Sequence, residues 1–318
     1  MSRDDSRPLQ RTFDPLGPTV RRAVLADGRT VHYIDEGDPA WQTAVFLGGA
    51  GTTVRGFGLM EFARTLREQL QIRVISVERN GLGQTPYQPE LGFAEYASAV
   101  WELLDRRGVD QASLIAISGG GPYAAHVARA QPDRIRSLHL ACTYAEQLHP
   151  DDVAFSAETV AADPVAWWRY PDDSPVHRIP GFVDSTVEEA TRSVFAHGRD
   201  VPPHGLRHAF DLYRNTRLPD LTAVQAPAFL YWGAEDVLVP TKHMERWRGA
   251  LPQVRALRLY RGEGHDVQYR HWDQILADVA CLGDRVVVGR DGETQLLTPD
   301  AAADALASGA VLGIWAWA

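Results

Sequence analysis

Short apolar runs rich in β-branched residues alternate with amphipathic stretches along most of this chain. The runs predict strands, and the stretches, whose apolar residues recur every three or four positions, predict helices. The opening runs, residues 20–25 and 30–35, are joined by Asp27 and Gly28 and predict an antiparallel hairpin. Further strands are predicted near residues 43–48, 72–78, 112–117, 135–142, 227–232 and 255–260, and helices near 56–70, 93–107, 119–130, 240–249 and 266–281. This order predicts an α/β fold with a mostly parallel sheet.

The alternation stops between residues 144 and 226, where strand signals are missing and helical ones, including one over residues 203–215, take their place. We therefore predict a helical cap at 144–226, inserted into a core formed by residues 1–143 and 227–283. Residues 284–318 predict an extension made of a hairpin, a helix and a strand.

A serine stands where one predicted strand passes into a helix. Residues 114–124 read LIAISGGGPYA, an apolar run that ends at Ser118. A turn sharp enough to expose a hydroxyl brings backbone segments together, so the positions two before and two after it must be small. Ala116 and Gly120 meet this demand. A glycine-rich turn or a phosphate-binding loop is the alternative, but P-loop residues and G-x-G-x-x-G spacing are absent. Ser118 is therefore a candidate nucleophile.

A nucleophilic serine needs a histidine base and a carboxylate that orients the base. Asp236 and His265 each follow a later predicted strand, in the order Ser, Asp, His. Loops after parallel strands lie at one edge of the sheet, so we expect the three side chains to meet there. Two other carboxylates compete for the role of acid. Glu146 follows the strand before that of Asp236, and Glu263 lies two residues from His265.

The negative oxygen of an acyl-transfer intermediate needs prepared N–H donors, which together form an oxyanion hole. The N–H of Gly119, directly after Ser118, is one candidate. A small-residue loop follows the strand near 43–48, and it offers a second donor at Ala50 or at its neighbour Gly49.

These segments resemble the α/β-hydrolase superfamily over residues 20–282. The resemblance is carried by AISGGGPY at 116–123, FLGGAG at 46–51, ERNGLGQT at 78–85, YWGAED at 231–236 and GEGHD at 262–266. It implies an eight-stranded type of sheet with helices on both faces and an inserted cap. It also implies a triad of nucleophile, acid and base at Ser118, Asp236 and His265, with no cofactor or metal.

Two positions depart from the family pattern. The family usually has His-Gly where this chain has Gly48-Gly49, so the hydrogen bonds by which that histidine steadies the loop are missing. Ala116 replaces the first glycine of the elbow, a milder change because a methyl group still fits a tight crossing.

The resemblance implies a serine hydrolase that cleaves a small carboxylic ester or lactone through an acyl-enzyme. An aminopeptidase, a thioesterase, a C–C hydrolase, and an acyltransferase or lyase with the same triad remain open. A catalytically silent member that binds a small ligand under its cap is an alternative from another class. The intact triad speaks against that alternative, and Gly48 speaks for it. A serine at the elbow argues against dehalogenase and epoxide hydrolase chemistry, which uses aspartate there.

Three aromatic residues are candidates for a substrate pocket. Trp167 and Trp168 lie in the predicted cap, and Tyr123 lies in the helix after the elbow. The tryptophans alternatively anchor the cap to the core. A pocket of this kind predicts an apolar small-molecule substrate with an acyl group.

His204, His208 and Asp211 share one face of a predicted helix, a spacing that a metal site can use. No third histidine or matching motif accompanies them, so we expect no metal.

Charge and cysteine content narrow the classes of partner. A net charge of −9 argues against nucleic acids and anionic membranes, because both are polyanions. No apolar stretch approaches the ~18–20 residues that span a bilayer, and the N-terminal residues show no signal-peptide core. With two cysteines in apolar settings, these features predict a cytoplasmic protein. The apolar tail, with Trp315 and Trp317, predicts packing on the core or a homo-oligomer contact, for which the cap is the other candidate.

Overall fold

The computed structural model describes residues 18–145 and 204–314. The strands are β1 (Arg21–Val24), β2 (Thr30–Glu36), β3 (Gln42–Leu47), β4 (Ile72–Val77), β5 (Ala112–Ile117), β6 (Ile135–Ala141), β7 (Ala228–Gly233), β8 (Val254–Tyr260), β9 (Val286–Arg290), β10 (Glu293–Leu297) and β11 (Val311–Leu312). The α-helices are α1 (Arg64–Gln69), α2 (Phe93–Arg106), α3 (Gly120–Ala130), α4 (His204–Asn215), α5 (Thr241–Ala250), α6 (Val267–Arg270), α7 (Trp272–Cys281) and α8 (Pro299–Ala307). Short 3-10 helices span Val54–Ala63 and Pro132–Arg134.

Strands β1 to β8 form one sheet in the order β1-β2-β4-β3-β5-β6-β7-β8. The β1–β2 and β2–β4 pairs are antiparallel, and the pairs from β4 onward are parallel. Strands β4, β5 and β7 are buried throughout, which is why they are mostly apolar rather than alternating between apolar and polar residues. The predicted α/β architecture with a mostly parallel, eight-stranded sheet is confirmed.

Two predicted helices differ from the structure. The predicted helix at 56–70 is a 3-10 helix followed by α1, because Gly56 and Gly58 weaken an α-helix and the segment buries residues on all sides. The predicted helix at 266–281 is split into α6 and α7 at His271. The His271 ring stacks on Tyr260 with 3.5 Å between ring centroids, and this contact holds the break.

Helix α4 lies directly on the loops that follow β3 and β4. A Cβ built on Gly205 would lie 2.3 Å from the carbonyl oxygen of Gly81, so only glycine permits this approach. A Cβ on Gly51 would lie 3.0 Å from Leu206. The rest of the predicted cap that includes Trp167 and Trp168 lies outside the described residues. The division into core, cap and extension stays a prediction.

The extension contains the predicted hairpin, β9–β10, the helix α8 and the short strand β11, which pairs with β9. It is joined to the core through α7. Gln274 accepts a hydrogen bond from the N–H of Val287, and Asp273 accepts one from the N–H of Ile314. Val287 and Ile314 are buried with the main core. Trp315 and Trp317 lie outside the described residues, and an oligomer contact stays a prediction.

Neither described segment contains a helix with both the length and the apolar character needed to cross a lipid bilayer.

Candidate active site

Ser118 directly follows β5 and has φ of 49°, a left-handed conformation that is strained for serine. Its N–H donates to the carbonyl of Ala141, and its own carbonyl accepts from Gly121 and Tyr144. These bonds hold the turn between β5 and α3. A Cβ on Gly120 would lie 2.2 Å from the carbonyl oxygen of Leu47, so this small residue is required. The turn has the geometry of a nucleophile elbow.

Asp236 and His265 form a hydrogen-bonded pair at the ends of β7 and β8. The His265 Nδ1 lies 2.8 Å from Asp236 Oδ2. The other carboxylate oxygen accepts the N–H groups of Leu238 and Val239 at 2.9 and 2.8 Å. Burial raises the pKa of Asp236, but the hydrogen bond and charge of His265 outweigh it and hold that pKa below its usual range. The carboxylate is therefore ionised at neutral pH and can orient the imidazole.

Glycines bring the histidine loop inward. A Cβ on Gly233 would lie 2.2 Å from the carbonyl oxygen of Gly264, so the two loops touch beside His265. The imidazole bonds to Asp236, and within the described part of the chain it makes no hydrogen bond to Ser118. Catalytic hydrogen bonds of this type often tighten only when substrate binds.

The two competing carboxylates are placed differently. Both oxygens of Glu263 lie 2.9 Å from Nε2 of His271, so this side chain serves a different histidine from His265. Glu146 lies outside the described residues.

The predicted oxyanion donors are neighbours in space. A Cβ on Gly119 would lie 2.9 Å from the backbone nitrogen of Ala50, so the two residues approach each other closely. Arg79 holds the loop that carries Gly49 and Ala50 through side-chain hydrogen bonds. Its buried guanidinium donates to the carbonyl of Gly49 and, at 2.7 Å, to that of Thr52.

The family resemblance implies that residues 78–80 support the architecture of the site without a catalytic role, and Arg79 makes the contacts that do so. The guanidinium supplies the loop with hydrogen bonds where the family's usual histidine is replaced by Gly48.

Glu78 supports the same region from the other side. Its carboxylate accepts the N–H of Val54 at 3.2 and 3.3 Å. The side chain is buried, and burial raises its pKa from 4.5 to about 7, with the charge of Arg79 opposing the rise.

We expect Glu78→Gln to make stability less sensitive to pH. Between the unfolded pKa and about 7, the native state holds a proton that the unfolded chain has lost, so the free energy of unfolding falls as pH rises. The shift corresponds to about 3 kcal/mol at 1.36 kcal/mol per pKa unit. The difference in unfolding free energy between Glu78→Gln and wild type should therefore grow by about that amount from pH 4.5 to pH 8.

Urea unfolding at both pH values measures this difference, with the exposed Glu90→Gln variant as the matched control. A Glu78→Gln difference that stays constant with pH, as in the control, would contradict the buried, proton-holding carboxyl.

Tyr123, the one predicted pocket residue that the structure describes, lines a cavity of about 470 Å³ with Glu78, Asn80 and Tyr96. Ser118 is not among the residues that line this cavity. Trp167 and Trp168 lie outside the described residues, so their pocket role stays a prediction.

The histidines of α4 have other partners. His208 donates to the carbonyl of Leu91 at 2.6 Å, and His204 stacks on Tyr87. Asp211 lies 3.9 Å from Arg214.

Among the described residues, Cys142 lies close to the acid–base pair. The Cys142 sulfur, a carboxylate oxygen of Asp236 and a ring nitrogen of His265 all lie within 4.8 Å of one another. Burial and the charge of Asp236 raise the pKa of the Cys142 thiol well above its usual value. It therefore stays protonated, and metals bind the thiolate rather than the thiol.

The family model for the alpha/beta hydrolase fold matches residues 45–271 of this chain. The chain is similar to a poly(3-hydroxyalkanoate) depolymerase from Ectopseudomonas oleovorans, with 24% identity over 250 residues that cover 75% of this chain and 84% of that protein. It is also similar to a pimeloyl-(acyl-carrier protein) methyl ester esterase from Chromobacterium violaceum, with 28% identity over 202 residues, 59% of this chain and 76% of that protein.

Solved structures share the fold. A hydrolase from Pseudomonas aeruginosa PA01 superposes with a TM-score of 0.63 at 23% identity, covering 83% of this chain and 98% of that one. An esterase from Exiguobacterium antarcticum gives 0.62 at 16% identity, covering 83% and 99%. The chain belongs to the α/β-hydrolase fold family, and in class it is a hydrolase.

Proposed function

We propose that this protein is a serine hydrolase that cleaves a small carboxylic ester or lactone through an acyl-enzyme. The observation that carries the proposal is the position of Ser118. It stands at a strained, positive-φ elbow at the same sheet edge as the hydrogen-bonded pair of His265 and Asp236.

In the first half of the reaction, Ser118 Oγ attacks the substrate carbonyl carbon, and His265 Nε2 takes the hydroxyl proton. Asp236 accepts the Nδ1–H hydrogen bond, a tautomer assigned from this pairing, and stabilises the imidazolium that forms. The carbonyl oxygen becomes negative and receives hydrogen bonds from the N–H groups of Gly119 and of Ala50 or Gly49. His265 then protonates the leaving alcohol, and the acyl-enzyme remains.

In the second half, water attacks the acyl-enzyme, and His265 accepts a proton from the water. The acyl group leaves as a carboxylic acid, and Ser118 recovers its proton from His265. Every proton moves between the substrate, water and these side chains, so the scheme uses no cofactor or metal.

Two observations support an ester with an apolar acyl group. The relatives named above are an esterase and a depolymerase of a polyester, which are enzymes for the ester bond. The buried rings of Tyr144 and Tyr213 lie close to the elbow, with ring centroids 5.9 Å apart, so the elbow has aromatic surroundings on this side.

A screen of p-nitrophenyl esters of increasing acyl length, together with lactones of several ring sizes, tests this function. We expect turnover of at least one ester or lactone by the wild type and none above background by Ser118→Ala. A wild type that turns over none of them and does not react with a fluorophosphonate would instead favour the silent, ligand-binding alternative.

A further inference from the structure

We propose that the hydroxyl of Tyr213, on helix α4, is a third hydrogen-bond donor to the oxyanion. The proposal rests on the serine hydrolase function proposed above. It adds a catalytic residue from outside the two backbone donors at Gly119 and Ala50.

The Tyr213 hydroxyl lies very close to Gly119. A Cβ built on this residue would lie 2.6 Å from the Tyr213 hydroxyl oxygen and 2.9 Å from the nitrogen of Ala50. That Cβ would be two covalent bonds from the nitrogen of Gly119 itself. The Tyr213 hydroxyl therefore lies beside the two backbone nitrogens, in an approach so close that no side chain fits at position 119.

Two hydrogen-bond donors in this region have no partner among the described residues. Tyr213 is 1% exposed, and its hydroxyl has no hydrogen-bond partner among the described residues. The same holds for Nη1 of Arg79, although its Nη2 holds the oxyanion loop. A buried polar group without a partner costs folding free energy, so its presence needs an explanation such as an absent ligand.

The neighbours of the Tyr213 hydroxyl limit where it can donate its hydrogen. Burial raises the pKa of Tyr213 far above its usual value, and the nearby Arg79 offsets only part of the rise, so the hydroxyl keeps its proton. A guanidinium offers donors only. The Tyr213 oxygen can therefore accept from Arg79 but must direct its own hydrogen elsewhere. The backbone N–H groups of Gly119 and Ala50 are also donors and cannot accept that hydrogen, so the negative oxygen of the substrate is the acceptor that the proposal assigns to it.

Contacts with the core hold the Tyr213 side chain in position. The close Gly205–Gly81 approach locks α4 onto the loop after β4. The Tyr213 ring packs against Phe210 and Tyr123, with centroid distances of 5.8 and 6.3 Å. A donor held this firmly needs little reorganisation when charge develops.

Tyr213→Phe tests the proposal because it removes only the hydroxyl oxygen. Loss of one oxyanion donor costs about 10²-fold to 10³-fold in kcat in a serine protease. We expect a loss of about 10²-fold in kcat for p-nitrophenyl butyrate, with KM little changed. The affinity for a trifluoromethyl ketone, whose serine adduct carries the oxyanion, should fall by a similar factor.

Stability separates a catalytic role from a structural one. Because the hydroxyl has no hydrogen-bond partner in residues 18–145 and 204–314, Tyr213→Phe should unfold at the wild-type temperature or above it. The matched control is Tyr33→Phe, a buried tyrosine on β2 that should keep wild-type kcat and inhibitor affinity.

Wild-type kcat and inhibitor affinity in Tyr213→Phe would overturn the donor role while leaving the proposed function standing. A raised KM with unchanged kcat would also overturn it, since the hydroxyl would then bind only the ground state. A wild type that neither turns over esters nor binds the ketone would overturn the proposed function, and the donor role with it.

Discussion

Replacing Ser118 by alanine is expected to lower kcat by about 10⁶-fold, as loss of the nucleophile does in a serine protease with a triad. The fold should remain, because the hydrogen bonds that hold the elbow use the backbone of Ser118 and not its hydroxyl. Initial rates on the best ester from the screen, together with circular dichroism and thermal unfolding, measure both outcomes.

Ser113→Ala provides a matched control on the same strand. The Ser113 hydroxyl bonds to that of Ser137 at 2.7 Å, in the buried core, so its loss should lower stability and leave kcat near the wild-type value. A folded Ser118→Ala variant that keeps substantial turnover would contradict the nucleophile assignment.

The second large effect is expected from Asp236→Asn, which should lower kcat by as much as ~10⁴-fold. The amide keeps the shape of the side chain and can still accept the N–H groups of Leu238 and Val239. It no longer stabilises the imidazolium, and it disfavours the tautomer in which His265 Nδ1 carries the hydrogen. The rate of ester hydrolysis, with substrate saturating, measures the loss.

Glu263→Gln and Glu146→Gln are the matched controls, and both should be mild. The Glu263 carboxylate bonds to His271, at the break between α6 and α7, so its amide should change stability more than rate. Should Asp236→Asn keep more than about a tenth of wild-type kcat while either glutamine variant collapses, the role of acid moves to that glutamate.

Much of the fold could be predicted because its signals are local. The predicted strand 112–117 coincides with β5, since a buried parallel strand is a short and mostly apolar run. The predicted helix at 56–70 is an α-helix only in its second half. In the first half, packing of the buried Phe57 and Phe62 outweighs helix periodicity in a segment weakened by glycine, and a 3-10 helix forms.

The site divides in the same way. Ser118, Asp236 and His265 each follow a strand, so the sequence could predict where they stand. Arg79 and Tyr213 could not be found by pattern, because their partners lie far along the chain. Arg79 reaches the carbonyl of Gly49, and Tyr213 reaches Gly119 across the packing of α4 on the core.

The most direct test of Ser118 as an activated nucleophile is the reaction of the wild-type protein with a fluorophosphonate, followed by mass spectrometry of its peptides. An activated serine reacts readily, whereas an ordinary serine does not. If Ser118 is the nucleophile, we expect one phosphonyl adduct on the peptide that contains Ser118. The adduct should be absent from Ser118→Ala and should form much more slowly in Asp236→Asn. No adduct, or an adduct on another residue that persists in Ser118→Ala, would contradict the role of Ser118 as nucleophile.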